Sequence, residues 1–244
     1  MKIMKNFRKN NLKVVILCGG LGQRISSETK NKPKPLIKIG RLAILEHIMN
    51  IYHNYGYNNF YLLLGYKGDQ IKKYFSKKKQ FKITYIKTGI KTGTAGRLFK
   101  MKRFINKNED FHLTYGDGLT SQNLNKLIKL HVKMKKICTM TTVRPPARFG
   151  EVKLNKSFIV GYKEKRKPDS GWINGGFMVL NQKIFNYLST NLKEMLEARP
   201  MEKLSKKRDL IGFRHKGFWQ CMDTLKEKEY LELLVKQGNA PWIT

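Results

Sequence analysis

The sequence has few cysteines and no pattern that would cross-link them. Cys18, Cys138 and Cys221 are an odd number at wide spacings in 244 residues. They make neither a disulfide framework nor a Cys-x-x-Cys metal motif, so we expect a reducing compartment. A chain of this length can bury a large core without such cross-links. The class of small, disulfide-stapled secreted domains is therefore excluded.

Long apolar runs are also absent. None approaches the ~20 residues that a membrane-spanning helix needs. Residues 1–11 are basic, but the apolar run Val14–Cys18 that follows them is short and ends at Gly19, unlike the apolar region of a signal peptide. We therefore interpret residues 1–12 as a basic N-terminal extension and expect a cytoplasmic protein with no membrane partner.

Acidic residues are scarce, with 17 Asp and Glu against 50 Lys and Arg and a formal charge of +33. Such a charge can indicate a nucleic-acid partner. However, most of the excess is lysine, it is spread along the whole chain, and it comes with many Asn and Ile, which is the composition that an AT-rich genome produces. We therefore predict no specific nucleic-acid partner, and only weak, salt-sensitive binding of polyanions. The same charge would favour an anionic substrate such as a nucleoside triphosphate.

The apolar pattern predicts alternating strands and helices. Lys13–Cys18 is a continuous apolar run with β-branched residues, as in a strand buried on both faces of a parallel sheet. Further strands are predicted over Phe60–Leu64, Phe81–Ile86, Phe111–Tyr115 and Cys138–Val143, and helices over Ala43–Tyr52, Asp69–Phe75, Gly96–Ile105 and Leu124–Met134. This alternation predicts an α/β fold with a mostly parallel sheet.

The second half of the sequence is less regular. It gives strands at Glu151–Leu154, Phe158–Val160 and Gly176–Leu180, and helices around Ile184–Leu188 and Lys226–Lys236. No internal repeat, linker or break in composition divides the chain. We therefore treat residues 13–244 as a single domain.

A glycine-rich loop follows the first strand. Gly19, Gly20 and Gly22 allow the backbone to approach a bulky anion with its amide groups turned towards it, and Arg24 adds a bidentate phosphate donor. The pattern is neither a dinucleotide-binding fingerprint nor a P-loop, because the third glycine of the one and the Gly-Lys-Ser/Thr of the other are missing. The alternative is a tight turn between strand and helix.

A lysine between two prolines lies ten residues after Arg24. Pro33 and Pro35 fix an extended segment and limit the directions in which Lys34 can point. Lys34 could therefore close over the same phosphate that Arg24 binds. The alternative is a solvated loop in a lysine-rich protein.

Two isolated aspartates stand in settings that suit a site. Asp117 lies between glycines just past an apolar strand, and ligands of open α/β sheets bind at the carboxyl ends of strands. A carboxylate there is well placed for Mg²⁺, although the alternative is a simple Asp-Gly turn. Asp223 stands among bulky residues, where a buried carboxylate needs a metal or a cation as its partner.

The segment Ile173–Phe177 leads into a strand and contains paired glycines. Gly175 and Gly176 permit close approach of a ligand, and the amide of Asn174 offers both a donor and an acceptor to sugar hydroxyls.

Taken in order, these residues resemble the sugar nucleotidyltransferase family, and most closely its members that use CTP and glucose 1-phosphate. The likeness runs from Lys13 to Trp242. The most specific matching segments are Gly217–Gln220, Met222–Leu225, Tyr230–Glu232 and Gly238–Trp242, and Tyr115–Gly118, Arg148–Gly150 and Ile173–Phe177 also match. The glycine loop with Arg24 and Lys34 is shared by all nucleotidyltransferases of this fold.

The resemblance implies a Rossmann-like, mostly parallel mixed sheet flanked by helices, the nucleotide-diphospho-sugar transferase fold. It places the nucleotide in the first half of the chain and the sugar phosphate in the second. The implied roles are triphosphate binding for Gly19, Gly20, Gly22 and Arg24, charge neutralisation during transfer for Lys34, base and ribose contacts for Thr94 and Gly96, Mg²⁺ binding for Asp117 and Asp223, and sugar-phosphate binding for Glu164, Lys165, Asn174 and Gly175.

The implied reaction joins CTP and a sugar 1-phosphate into a CDP-sugar and pyrophosphate, in the nucleotide-sugar supply for lipopolysaccharide O-antigen. Transfer from UTP or dTTP remains an alternative, and a non-catalytic basic binding protein on the same fold is a further one. The presence of both Asp117 and Asp223 favours the enzyme.

The sequence departs from the family pattern at three places. The segment Ser76–Phe81 is shorter than in members that use this region for contacts within a homo-oligomer. Arg166 replaces the proline of a Glu-Lys-Pro motif, and Arg199 replaces a glutamate before Pro200, although Glu197 remains nearby.

Overall fold

The computed structural model describes residues 12–144, 151–163 and 171–243. Most of the predicted extension 1–12 and the matching segment Arg148–Gly150 lie outside them. Within the described residues the strands are β1 (Lys13–Cys18), β2 (Lys38–Ile39), β3 (Leu42–Ala43), β4 (Asn59–Leu64), β5 (Lys82–Lys87), β6 (Asp110–Tyr115), β7 (Gly118–Thr120), β8 (Cys138–Val143), β9 (Glu151–Asn155), β10 (Phe158–Lys163), β11 (Ile173–Asn181), β12 (Leu210–Arg214) and β13 (Trp219–Cys221).

The helices alternate with these strands through most of the chain. They are α1 (Ser26–Thr29), α2 (Ile44–Asn54), α3 (Gly68–Phe75), α4 (Thr94–Met101), α5 (Leu124–Met134), α6 (Arg199–Lys206) and α7 (Leu225–Lys236). Short 3₁₀ segments cover Gln23–Ile25, Lys34–Leu36, Lys102–Phe104 and Gln182–Tyr187. Among the described residues, no helix is both long and apolar enough to cross a bilayer.

The described strands form one large sheet of seven strands in the order β12-β8-β11-β6-β1-β4-β5. Strand β1 is parallel to both of its neighbours, β4 and β6, and β12 is parallel to β8. Within this seven-stranded sheet, β11 alone is antiparallel to its neighbours, β6 and β8. The predicted mostly parallel mixed sheet is thus confirmed, and it has a consequence for the site. The carboxyl ends of six strands and the amino end of β11 meet at one edge of the sheet.

The apolar core lies on both faces of this sheet, because consecutive side chains of a strand point to opposite faces. Val14 and Ile16 pack into a cluster with α2, α3, α5 and α7, whereas Val15 and Leu17 pack into a second cluster with α4 and α6. All four side chains are buried. This double coverage explains why β1 is apolar from Val14 to Cys18.

The sequence predictions for β1, α5 and β8 are confirmed residue for residue, and those for most other elements differ by one or two residues at an end. Two helix predictions need correction. The segment predicted as a helix over Ile184–Leu188 is the 3₁₀ segment Gln182–Tyr187. The helix predicted over Gly96–Ile105 begins at Thr94 and ends as an α-helix at Met101, after which a 3₁₀ turn follows.

Candidate active site

The predicted site residues that the structure describes gather at the carboxyl edge of the sheet or beside it. A cleft of ≈ 230 Å³ opens there between the end of β6 and the start of β11. It is lined by Arg24, Thr114, Tyr115, Asp117, Gly118, Asn174, Gly175, Gly176, Phe177, Trp219, Cys221 and Asp223.

The glycine loop leaves β1 at this edge and turns into a 3₁₀ segment. Gly22 has a φ of 67°, in the left-handed region where a side chain is strained. Gly20 is exposed, and a Cβ atom added there would meet nothing within 4 Å. The conformation of Gly22 therefore serves the turn, whereas the open space at Gly20 leaves the backbone accessible to a ligand.

A small antiparallel pair of strands places the two aspartates side by side. Strands β7 and β13 pair Gly118 with Cys221, and the amide of Met222 donates to the carbonyl oxygen of Asp117 at 2.9 Å. Asp117 and Asp223, 106 positions apart in the sequence, therefore flank the same end of this pair. Neither the pairing nor the distance between the two carboxylates was predictable from the sequence.

The two cations predicted to bind phosphate contact these carboxylates. The Nζ atom of Lys34 lies 2.6 Å from Oδ2 of Asp117 and 2.6 Å from Oδ1 of Asp223. Nη1 of Arg24 lies 2.7 Å from Oδ2 of Asp223. The side chain of Lys34 is 11% exposed and that of Arg24 is 74% exposed. The ammonium is thus fixed inside the site, and the guanidinium lies at its mouth.

The pKa values of Asp223 and Lys34 depend on burial and on the charges beside them. Burial by itself would raise the pKa of Asp223, but the hydrogen bond from Lys34 and the charges of Lys34 and Arg24 outweigh it and lower that pKa. Burial would lower the pKa of Lys34, but the two carboxylates outweigh it and raise that pKa. Asp223 and Lys34 are therefore both charged at neutral pH.

A helix cap fixes the backbone at Asp223. Thr224 caps α7 in a capping box, with its hydroxyl accepting from the amide of Glu227 at 3.3 Å. The carboxylate of Glu227 accepts from the backbone amides of Asp223 at 2.7 Å and of Thr224 at 2.9 Å. The Thr-x-x-Glu spacing is a readable capping signal, and its function here is to hold one of the two acidic residues in place.

The amino end of β11 forms the other wall of the cleft. Oδ1 of Asn174 accepts from the amide of Gly176 at 2.8 Å, so its acceptor already has a partner in the free protein. The indole of Trp219 donates to the carbonyl oxygen of Gly175 at 2.7 Å, which ties this wall to β13. Glu164 and Lys165, the other two residues predicted to bind the sugar phosphate, lie outside the described residues.

Thr94 stands at the first position of α4, beside the cleft. Its hydroxyl donates to Oε2 of Glu197 at 2.6 Å and accepts from the amide of Leu196 at 2.8 Å. The hydroxyl of Tyr115 donates to the other oxygen of Glu197. Glu197 therefore bridges the helix and the wall of the cleft, a role that the sequence did not indicate.

Gly96 is buried in the first turn of α4. A Cβ atom there would overlap the carbonyl oxygen of Leu192, and the amide of Gly93 donates to that same oxygen at 2.8 Å. Gly96 thus allows the 192–194 segment to pack against the helix. A contact between Gly96 and a base or ribose stays a prediction.

Arg97 is a buried cation beneath the glycine loop, and no motif in the sequence identified it as a site residue. Nη2 donates to the carbonyl oxygens of Gly19 at 2.9 Å and Ile90 at 3.3 Å, and Nη1 donates to the hydroxyl of Thr88. These partners follow β1 and β5. One side chain therefore joins two of the loops that border the site, and burial lowers its pKa. An arginine on an otherwise apolar helix face was the only available signal.

The histidines do not enter the cleft. His47, His112 and His131 are buried, and burial lowers the pKa of His112 to about 3. These three side chains therefore pack inside the protein and not in the cleft.

A mostly parallel sheet with an open glycine loop, two cations and two adjacent carboxylates at the carboxyl edge suits a phosphate-bearing ligand. In open α/β sheets such ligands bind outside the carboxyl ends of the strands. The chain belongs to the nucleotidyl transferase family, whose model matches residues 13–220.

Two curated relatives match nearly the whole chain. It is 40% identical over 253 residues to a probable glucose-1-phosphate cytidylyltransferase of Bacillus subtilis (strain 168), covering 95% of this chain and 99% of the relative. It is 37% identical over 256 residues to a glucose-1-phosphate cytidylyltransferase of Salmonella typhimurium, covering 96% and 99%. These relatives confirm the predicted class: the protein is a nucleotidyltransferase enzyme.

The fold has known counterparts as well. The crystal structure of HddC from Yersinia pseudotuberculosis superimposes with a TM-score of 0.72 at 23% identity, covering 92% of this chain and 99% of that one. At this identity the likeness shows the fold alone, and it agrees with the predicted nucleotide-diphospho-sugar transferase fold.

Proposed function

We propose that the protein transfers a cytidylyl group from CTP to glucose 1-phosphate and releases pyrophosphate. The observation that carries the proposal is the group of two cations and two carboxylates at the carboxyl edge, beside the open backbone at Gly20. The choice of CTP and of glucose 1-phosphate is supported by the names of the two relatives, which match this chain over 95% and 96% of its length.

The chemistry fits a site without a catalytic base. An oxygen of the sugar phosphate forms a bond to the α-phosphorus of CTP while the bond from that phosphorus to the bridging oxygen of pyrophosphate breaks in line. The attacking phosphate is already ionised, so no proton has to be removed. Catalysis then consists of positioning and of neutralising the charge on the phosphates.

The residues of the cleft contribute to positioning and charge neutralisation according to where they lie. The exposed guanidinium of Arg24 reaches solvent at the mouth of the cleft, where it can meet the triphosphate first. Lys34 stands deeper and neutralises the phosphates during transfer. The open backbone at Gly20 accepts phosphate oxygens, and Asn174 and Gly175 form the wall that receives the sugar phosphate. Thr94 orients the nucleoside through its place beside the cleft.

Asp117 and Asp223 would hold Mg²⁺. Their oxygens lie close enough together to share one cation, since both are 2.6 Å from Lys34. No group of three or more His, Cys, Asp and Glu side chains suited to a metal occurs among the described residues. Mg²⁺ takes one or two protein carboxylates and completes its shell with phosphate oxygens and water, so Asp117 and Asp223 would suffice as its protein ligands. When bound, it would neutralise charge that develops on the phosphates.

The test is pyrophosphate release measured across CTP, UTP, dTTP and GTP with several sugar phosphates. We expect CTP with glucose 1-phosphate to exceed UTP and dTTP by ~100-fold in kcat/KM, because cytosine offers an amino donor where uracil and thymine have a carbonyl acceptor. Equal use of UTP would contradict the choice of base. Inactivity with every pair would contradict transfer to sugar phosphates altogether.

The acidic pair is tested by Asp117→Asn and Asp223→Asn. Each change should lower turnover by ~100-fold or more, because it removes the charge that holds the metal. Asp209→Asn is the matched control, since Asp209 precedes β12 at the opposite edge of the sheet and accepts from Tyr187. Normal turnover in both test variants at limiting Mg²⁺ would remove the metal assignment.

A further inference from the structure

In the free protein, the ammonium of Lys34 lies where a metal is proposed to bind, and it is not free to contact phosphate. Its ammonium lies between the two carboxylates that are proposed to hold the metal, at 2.6 Å from an oxygen of each. A divalent cation held by both carboxylates would need the space that the ammonium fills. The ammonium is also the group expected to contact phosphate. It cannot remain between the carboxylates while a metal binds them.

The free protein needs a cation at this place. Asp223 is only 9% exposed, and its carboxylate stands beside that of Asp117. Two adjacent carboxylates without a counterion repel each other, and a buried one is costly to leave unpaired. Lys34 supplies the missing charge from within the chain.

The local backbone holds Lys34 for this purpose. Pro33 is extended, with a φ of −71°, and Lys34 begins a 3₁₀ turn in which Pro35 is the next residue. The lysine side chain is buried. Its ammonium therefore meets the carboxylates from a fixed base, and moves away only by rotation of its own side chain.

Arg24 contacts the same group in a different way. It binds Oδ2 of Asp223, the oxygen that Lys34 does not use, and its side chain is mostly exposed. It can turn towards solvent or towards a phosphate without opening the space between the carboxylates. Of the two cations, only Lys34 competes directly with a metal.

We propose that Lys34 holds the place of the divalent cation in the free protein, and that the metal enters only when the phosphates of the nucleotide draw the ammonium away. The metal site and the phosphate site then share one lysine. Because coupling between two ligands is reciprocal, each one strengthens the binding of the other. Metal without nucleotide binds weakly, and the carboxylates stay neutralised until the substrate arrives. This inference rests on the proposed function in two respects: Asp117 and Asp223 are taken as the metal ligands, and a nucleotide is taken as the ligand whose phosphates contact Lys34.

The experiment measures Mn²⁺ binding to the nucleotide-free protein by the electron paramagnetic resonance signal of the free ion. We expect Lys34→Met to bind Mn²⁺ roughly 10-fold more tightly than the wild type, within the usual range for coupled sites. Arg24→Met is the matched control, since it removes an equal charge from Asp223 without vacating the shared space. Its affinity should change much less. The double variant Lys34→Met, Asp223→Asn should not bind Mn²⁺ more tightly than the wild type, because it lacks one of the two carboxylates.

A second measurement avoids the risk that Lys34→Met folds poorly. Thermal unfolding of the wild type and of Lys34→Gln is followed with and without Mg²⁺ and without nucleotide. A ligand that binds the folded state raises the midpoint, so Mg²⁺ should raise that of Lys34→Gln and leave that of the wild type nearly unchanged. An equal rise in both proteins, or equal Mn²⁺ affinity in the wild type and Lys34→Met, would overturn the proposal.

The outcomes separate this inference from the proposed function. If the protein transfers cytidylyl groups but the wild type and Lys34→Met bind Mn²⁺ with equal affinity, the proposed function stands and the exchange of lysine for metal is disproved. If Lys34→Met binds Mn²⁺ more tightly but the protein is inactive towards every nucleotide and sugar phosphate, the exchange is supported and the proposed reaction is disproved. Absence of Mn²⁺ binding in every variant overturns both the metal site and the exchange.

Discussion

The guanidinium of Arg97 occupies the space that a side chain at position 19 would need. A Cβ atom added to Gly19 would overlap the guanidinium, which donates to the carbonyl oxygen of Gly19 at 2.9 Å. The glycine at position 19 is therefore required by a buried cation beneath the loop. The need for small residues in this loop comes from the protein's own packing as well as from a ligand.

Replacing the buried arginine should loosen the loop. Arg97→Met removes donors from the carbonyl oxygens of Gly19 and Ile90, but Gly19 keeps a second donor in the amide of Tyr66 at 3.3 Å. We expect a loss of only ~1–2 kcal/mol in the free energy of unfolding, because part of the hydrogen bonding survives. The effect on nucleotide binding should be larger, since the loop loses its anchor. Urea denaturation and calorimetry with CTP measure the two effects.

The control for that change is Arg103→Met. Arg103 is exposed and stacks over Phe104, so its loss should leave both the stability and the CTP affinity close to the wild type. If Arg97→Met and Arg103→Met behave alike, Arg97 does not position the loop.

Alanine substitutions at two glycines should have different effects, one on CTP binding and the other on stability. A methyl group at Gly20 meets open space, so Gly20→Ala should leave the melting temperature unchanged while it weakens CTP binding through a steric block at the phosphates. A methyl group at Gly96 overlaps the carbonyl oxygen of Leu192, so Gly96→Ala should destabilise the fold by ~1–3 kcal/mol. Differential scanning calorimetry and CTP titration of both variants check this. Unchanged CTP affinity in Gly20→Ala would mean that the loop is only a turn.

The bridge through Glu197 should couple the helix to the wall of the cleft. Glu197→Gln and Tyr115→Phe each weaken the contact between the carboxylate and the phenol, and Glu197 is exposed, so the coupling energy in a double-mutant cycle should be ~0.5–1 kcal/mol. Urea denaturation of the two single variants and the double variant gives this energy. Strict additivity would show that the bridge contributes nothing to stability.

The thiol of Cys221 lies in the cleft but should be unreactive. Burial, followed by the charges of Asp223 and Glu227, raises its pKa to about 12. The thiolate is the reactive form, so alkylation at pH 8 should be about a thousandfold slower than for an ordinary cysteine. Peptide mapping after iodoacetamide treatment measures this rate at Cys221. Asp223→Asn should increase it, because one negative charge near the sulfur is lost, and a fast reaction in the wild type would contradict the raised pKa.

Some elements of the fold can be predicted from the sequence because their conformation depends on the local pattern of residues. The apolar, β-branched run in Lys13–Cys18 suits a strand covered on both faces, and its bounds were predicted correctly. The amphipathic spacing of Leu124–Met134 likewise gave a helix with its correct ends. The Gly-Asp-Gly turn after β6 identified Asp117 as a residue at the carboxyl edge, since parallel strands place their carboxyl ends together.

Elements with weaker local signals were missed. Strands β7 and β13 are three residues each, too short for an alternating pattern, and they exist because they pair with each other. Helix α6 follows Arg199-Pro200 and buries Met201 and Leu204 against the second cluster, so tertiary packing decides its conformation more than its lysine-rich composition does.

The sequence by itself determined the family, the α/β fold and the types of residue that the site contains. Only the tertiary structure decided which charges meet. Lys34 shares the carboxylates of Asp117 and Asp223 because a two-strand pair joins segments that are 106 positions apart, and no local pattern encodes that pairing. Likewise, Arg97 and Glu197 became visible as site-supporting residues only once their distant partners were in place. The identities of side chains are local information, but their electrostatics depend on contacts that form when the whole chain folds.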